Sequence, residues 1–137
     1  GFYLNPNNKS ELSELKYIKE IGKIEYEEVD NFLQSIDFCI IPSKSDSFNL
    51  VAIEALMNDT SLIVSNQCGV TDFLEDGNDC ITFFPDLEGI SRILEDLELG
   101  NPSYFNLNSR GAFLKNFEMN EYLDRMFDFY HRINKTK

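Results

Sequence analysis

Apolar positions recur along this chain in two rhythms. Val29, Phe32, Leu33 and Ile36 fall at i, i+3, i+4 and i+7, the spacing that lines one face of a helix. Phe38-Cys39-Ile40-Ile41 follows as an unbroken apolar run ended by Pro42. A strand apolar on both faces is covered on both faces, which places it in a parallel sheet between helices rather than in a half-exposed hairpin. The pattern then repeats. Polar residues 43–47 predict a loop, 49–58 a helix, Leu62-Ile63-Val64 a strand, 70–75 a short helix, and 81–84 a strand ended by Pro85. Ile90, Ile93, Leu94 and Leu97 restore the helical spacing before Gly100 and Pro102 break it. Upstream, Leu12, Leu15, Ile18 and Ile21 predict a helix over 9–21, stopped by Gly22 ahead of a short extended run, Lys23 to Tyr26. Downstream, 103–116 reads as one helix and 119–133 as another, with Met119, Tyr122, Leu123, Met126, Phe127, Tyr130 and Ile133 at helical spacing. The expectation is an α/β unit of three layers, α/β/α, with Phe38 to Ile41 as its central strand and two helices at its end.

Composition narrows the function classes. At 137 residues and 42% hydrophobic, the chain can bury one good core. No apolar run approaches the roughly 20 residues of a membrane-spanning helix. Asp and Glu outnumber Lys and Arg 24 to 12, and a formal charge of −12 argues against nucleic acid as a partner. Cys39, Cys68 and Cys80 form no CxxC or Cys/His pairing, so they read as buried cytosolic thiols and not as zinc ligands. A lone histidine, His131, cannot by itself build a metal triad or a nucleophile relay, and it reads as a surface helix residue. Charge is uneven: residues 42–100 hold twelve acids against Lys44 and Arg92, whereas Arg110, Lys115, Arg125, Arg132, Lys135 and Lys137 give the end of the chain a basic face. Such residues suit an anionic surface and equally the negative ends of helices.

In an open parallel sheet, ligands bind beyond the carboxyl ends of the strands, where loops meet the positive ends of the following helices. Here that loop is Pro42-Ser43-Lys44-Ser45-Asp46-Ser47. It leads into the helix whose first amides, near Phe48, Asn49 and Leu50, suit a phosphate. Asp46 just before that helix and Glu54 almost two turns into it can face one ligand at different depths. The plainer alternatives are that Asp46 or Ser47 is the N-cap and that Glu54 is a solvated helix carboxylate. Asp72 has the same two readings, pocket wall or helix cap.

The stretch from Ile40 to Ala55, IIPSKSDSFNLVAIEA, resembles the donor-site signature of retaining GT-B glycosyltransferases of family four: Pro-Ser, a short loop, an acid, and a second acid eight positions on followed by Ala. The similarity runs in register through Gly22-Lys23-Ile24, Asp37-Phe38-Cys39, Gly69 to Leu74, Asp76-Gly77-Asn78, Phe117 and Tyr130, so it covers nearly the whole chain from about residue 20. It implies a Rossmann-like donor-binding unit over 1–100 with the helices of 101–137 packing back on it. It also implies that Asp46 touches hydroxyls of the transferred sugar, that Glu54 holds the ribose, and that amides of Ser47, Phe48, Asn49 and Leu50 take the diphosphate. Backbone near Ile24 would border the base. The donor would be a nucleoside-diphosphate sugar, used without metal or other cofactor.

Departures from the family pattern are local. Asp46 stands for the usual Glu, Ser47 and Asn49 for frequent Gly, and Asp59 and Ser61 for Gly and Pro, so the turn after the helix is expected to be made differently. The family's acceptor-binding front domain and its early Arg and Lys pair have no match here. With its start at Gly1-Phe2-Tyr3-Leu4, the chain therefore reads as the later part of a donor domain, catalytically silent alone. By this resemblance the complete enzyme is cytoplasmic or peripheral at the inner face of the membrane. It would act on a glycan or lipid-linked acceptor in bacterial surface polysaccharide synthesis. The competing reading is a non-catalytic flavodoxin-like or receiver-like signalling module, which shares the size, acidity and sheet but wants acids clustered at a strand end and a Lys after a late strand. Ile41-Pro42-Ser43 and Phe83-Phe84-Pro85 supply neither.

Overall fold

The computed structural model describes residues 19, 21–121, 123 and 124. Over these the chain runs α1 (Tyr26–Gln34), β1 (Phe38–Ile41), α2 (Leu50–Met57), β2 (Ser61–Ser65), a 3-10 turn (Gly69–Phe73), β3 (Ile81–Phe83), α3 (Leu87–Glu98), a second 3-10 turn (Pro102–Tyr104) and α4 (Ser109–Asn116). The strands pair in parallel in the order β1-β2-β3, with Cys39 opposite Leu62 and Ile63 opposite Ile81. The α/β class and its parallel sheet are as the apolar runs predict.

The strand period of two sorts side chains between two cores. Leu62 and Val64 of β2 join Ile41, Leu33, Ala52, Ala55, Leu56 and Ala112 under α1, α2 and α4. Ile63 points the other way and packs with Phe83, Ile93 and Tyr104 under α3. Sheet and two helical layers therefore make the expected three. Leu56, Leu62, Ile63 and Val64 have no exposed surface, and each such side chain contributes about 2 kcal/mol by leaving water.

Several boundaries differ from the sequence reading. Among the described residues β2, not Phe38–Ile41, is the middle strand, and β1 keeps three half-buried residues. An apolar run four residues long reports covered faces but not neighbours on both edges. The extended run expected at Lys23 to Tyr26 is not a strand: Tyr26 already opens α1, and Glu27 and Glu28 suit that helix's positive end. The helix expected over 103–116 is two pieces: a 3-10 turn that Asn101 caps by accepting from Ser103 N ends at Tyr104, and α4 begins only at Ser109. The segment at 70–75 is a 3-10 turn. Of the helix expected over 9–21 only Lys19 and Ile21 are described. Most of 119–133, with Tyr130 and His131, lies outside the described residues.

The turn after α2 is made at the left-handed position that glycine favours, but by Asp59, at φ 59°. Its carboxylate accepts the Arg110 amide at 3.2 Å, which ties the end of α2 to the start of α4. Arg110 also donates to the Met57 carbonyl and lies over the Phe113 ring, 5.1 Å from its centre. Of the two uses open to that basic residue, the negative end of a helix is the one realised.

Candidate functional site

The loop leaving β1 is held at the carboxyl edge of the sheet by backbone hydrogen bonds to the loop leaving β2. Asp46 N donates to Gln67 O at 3.2 Å, and Gly69 N donates to Asp46 O at 2.9 Å. The approach is close enough to require glycine: a Cβ at Gly69 would lie 2.1 Å from the Ser47 carbonyl oxygen. Ser47 is thereby pinned through its backbone while its side chain stays exposed.

Asn49, not Asp46 or Ser47, is the N-cap of α2, its side chain accepting from Ala52 N at 3.0 Å. The same side chain donates through Nδ2 to Asp46 Oδ2 at 2.8 Å. Asp46 Oδ1 accepts from Phe48 N at 3.1 Å. The half-buried Asp46 carboxylate is thus oriented by two donors, and the Phe48 amide, a candidate for the diphosphate, is engaged by it. The amides of Asn49, Leu50 and Val51 donate no hydrogen bond to the described residues, so the first turn of α2 keeps open donors beside Asp46.

Glu54 stands one turn after Leu50 on the face of α2 away from Ala52, Ala55 and Leu56, and is half-buried. Its carboxylate accepts no hydrogen bond among the described residues, and none joins it to Asp46. Ile24 is half-buried in the irregular segment ahead of α1 and makes no hydrogen bond to the loop. Asp72 is exposed and does not cap its turn, whose N-cap is Cys68 without a side-chain bond.

Three aromatic rings beside the loop escaped sequence reasoning as a group. Phe48, Phe73 and Phe117 meet edge to face with centroids 5.9 to 6.1 Å apart. They come from three separated segments, so no local spacing signals the cluster. The bracing by Gln67 and Gly69 was equally hidden, although a glycine soon after a strand is the kind of residue a close backbone approach demands.

Buried Cys68 pairs by an isolated parallel bridge with Asp46. Its thiol is pushed up first by burial and next by the Asp46 charge, with a hydrogen bond from Ser43 acting the other way. Burial holds Cys39 up to about 11, and burial with Asp76 and Asp79 holds Cys80 up to about 12. These thiols stay protonated at neutral pH and supply no nucleophile. Among the described residues no three His, Cys, Asp or Glu side chains converge on a metal position. No described helix is long and apolar enough to cross a membrane.

The family model for glycosyl transferases group 1 matches residues 7–126. The chain belongs to that family. An uncharacterized glycosyltransferase of Methanocaldococcus jannaschii is 29% identical over 63 residues, 46% of this chain and 18% of the relative. Sucrose-phosphate synthase from Thermosynechococcus elongatus superposes with a TM-score of 0.67 over 85% of this chain at 21% identity. Anabaena HepE in complex with UDP-glucose superposes with a TM-score of 0.68 over 90% at 14% identity. The chain spans 30% and 34% of those two structures, which share its fold. As a group 1 domain with these neighbours, the chain is not favoured as a receiver-like module.

Proposed function

We propose that this chain is the donor-binding part of a retaining glycosyltransferase and that its site holds a nucleoside-diphosphate sugar at the carboxyl edge of β1. The observation that carries the reading is the pair of open amides, Asn49 and Leu50, at the positive end of α2 beside the oriented carboxylate of Asp46. HepE, a structural neighbour, is described in complex with UDP and with UDP-glucose, which makes uridine nucleotides the first probes.

The division of labour follows from the chemistry of each group. The amides point fixed partial positive charge at the diphosphate, whose negative charge grows as the glycosidic bond breaks, so they favour departure of the nucleotide without reorganising. Asp46 accepts hydrogen bonds from sugar hydroxyls, and its two intrachain donors fix where it does so. Glu54, half-buried and without a hydrogen-bond partner among the described residues, accepts from the ribose hydroxyls. Backbone at Ile24 borders the base, and Ser47 offers its backbone amide to the phosphates. Among the described residues, those up to 100 form the Rossmann-like donor unit and α4 packs back on it. A further domain supplies the acceptor, a glycan or lipid-linked sugar of surface polysaccharide synthesis at the inner face of a membrane, and hexosyl transfer needs both.

The test is an NMR titration of the chain with UDP and UDP-glucose. Binding near 1 mM, about −4 kcal/mol, is the expected strength for a few amides and ribose hydrogen bonds on a body of charge −12. Shifts centred on Asn49, Leu50 and Glu54 support the reading. Shifts centred elsewhere, for instance in the cavity that Phe83, Gly89, Arg92 and Tyr104 line between β3 and α3, overturn it.

A further inference from the structure

One side chain at the site makes two bonds of opposite sense. Asn49 Oδ1 accepts from Ala52 N at 3.0 Å, and Asn49 Nδ2 donates to Asp46 Oδ2 at 2.8 Å. The two partners fix which end of the amide is which, since reversing it would set an NH2 against a backbone N–H and an oxygen against a carboxylate. A cap that needs its oxygen turned into the helix must therefore turn its nitrogen toward the loop. The helix start and the acid are joined through one planar group. Asp46 receives its second donor from Phe48 N at 3.1 Å, so both carboxylate oxygens have a stated direction before any ligand arrives.

We propose that Asn49 is a positioning residue that sets the Asp46 carboxylate for the donor sugar, using the N-cap of α2 as its anchor. The proposal rests on the donor-site reading above and adds to it a side chain that this reading did not use. Serine and aspartate serve as N-caps about as well as asparagine, but neither carries an N–H2 to give Asp46. The cap and the positioning can thus be separated. Glycine at this position would leave Asp46 with the Phe48 amide alone.

The experiment uses the full chain and the variant Asn49→Ser, and compares amide exchange with solvent at Ala52 and Phe48 with the affinities for UDP-glucose and UDP. The expected result is an unchanged Ala52 amide, a Phe48 amide exchanging about fivefold faster, and a ratio of UDP-glucose to UDP affinity reduced about fivefold, the size of one ordinary hydrogen bond. In an Asp46→Ala background the same substitution should leave that ratio where Asp46→Ala alone puts it, because the effect runs through the acid. If Ala52 loses protection in the serine variant, Asn49→Asp, which keeps the acceptor and places an anion against Asp46, must reproduce the Phe48 and ratio effects. A protected Ala52 with unmoved Phe48 exchange and an unmoved ratio would reduce Asn49 to a cap and overturn the proposal. If the unaltered chain shows no shift at Asn49 or Leu50 with either probe, the donor-site reading falls and the sugar-setting role with it. Phe48 exchange still reports separately whether Asn49 holds Asp46.

Discussion

On one face of the sheet α2 lies between α1 and α4 and carries apolar side chains almost all round; on the other face α3 lies over the sheet with one apolar stripe and a polar back. The first helix buries Ala52, Ala55 and Leu56 completely, whereas α3 buries Ile93 and half-buries Ile90 and Leu97. Small residues let α2 settle close to the strands, and that closeness brings its first turn to the carboxyl edge where the β1 and β2 loops are pinned together. The second face has no such requirement. Its helix starts from Asp86, which accepts from Gly89 N at 2.7 Å and so occupies its own helix end with a carboxylate. The comparison teaches that two helices capped alike on their third amide can flank one sheet with different charge at the start, a neutral amide cap on α2 and a carboxylate cap on α3, and that the difference lies in a few residues before each first turn.

The largest expected effects test whether both faces support the fold equally. Leu56→Ala under α2 and Ile93→Ala under α3 should each cost about 3 kcal/mol in urea unfolding, since each empties a fully or nearly fully buried position. A loss confined to one variant would mean that one face is dispensable. Gly69→Ala comes next. Its Cβ must push the Ser47 carbonyl away, so it should destabilise by about 2 kcal/mol and also weaken UDP binding, whereas Ile93→Ala, though the more destabilising, should leave binding by the folded fraction intact. Equal binding in both variants would break the link between close packing on the first face and the site.

Glu54→Ala should weaken UDP and UDP-glucose alike by about tenfold with little change in unfolding, as the loss of an acceptor without a partner among the described residues requires. Asp46→Ala should weaken UDP-glucose more than UDP, read in the same titrations. Equal losses would remove the sugar role given to Asp46.

The smallest effect near neutrality grows with alkali and touches both faces. Cys80 belongs to the first and Tyr104 to the second; burial, with Asp76 and Asp79 behind it, holds Cys80 up to about 12 against 9.0, and burial with Asp96 holds Tyr104 up to about 12 against 10.0. The unfolded chain gives up these protons first. Their contribution is whole below pH 9 and is lost as pH climbs from 9 to 12. Urea midpoints at pH 8, 9.5 and 11 should fall in that order, and Cys80→Ala or Tyr104→Phe should each flatten the fall.

The layers were legible because periodicity reports burial. The stripe Ile90, Ile93, Leu94, Leu97 gave α3, and the unbroken runs 38–41 and 62–64 gave two strands to within a residue or so. The neighbours of β1 were not legible, since an apolar run says nothing of edge or centre. Nor was the break at 105–108, which divides the helix expected over 103–116 into the end of a turn capped by Asn101 and α4. At the candidate site, spacing and resemblance pointed to the loop and the acids. The cap was misplaced because Asp46, Ser47 and Asn49 are all good capping residues in one short stretch, and only the three-dimensional competition between them decides. Asp46 lost that competition and became the partner of the winner.

The bond from Arg110 N to Asp59 spans 51 positions of sequence. A chain that has assembled α1, β1, α2 and β2 through contacts nearer in sequence still carries α4 on a long tether, and closing a loop of that size is entropically slower than any step before it. Docking of α4 is therefore a natural clock for the end of folding: until Asp59 and the Met57 carbonyl are claimed by Arg110, the end of α2 is exposed, and fluorescence quenching or protection at that corner should report the last event in the life of the folding chain.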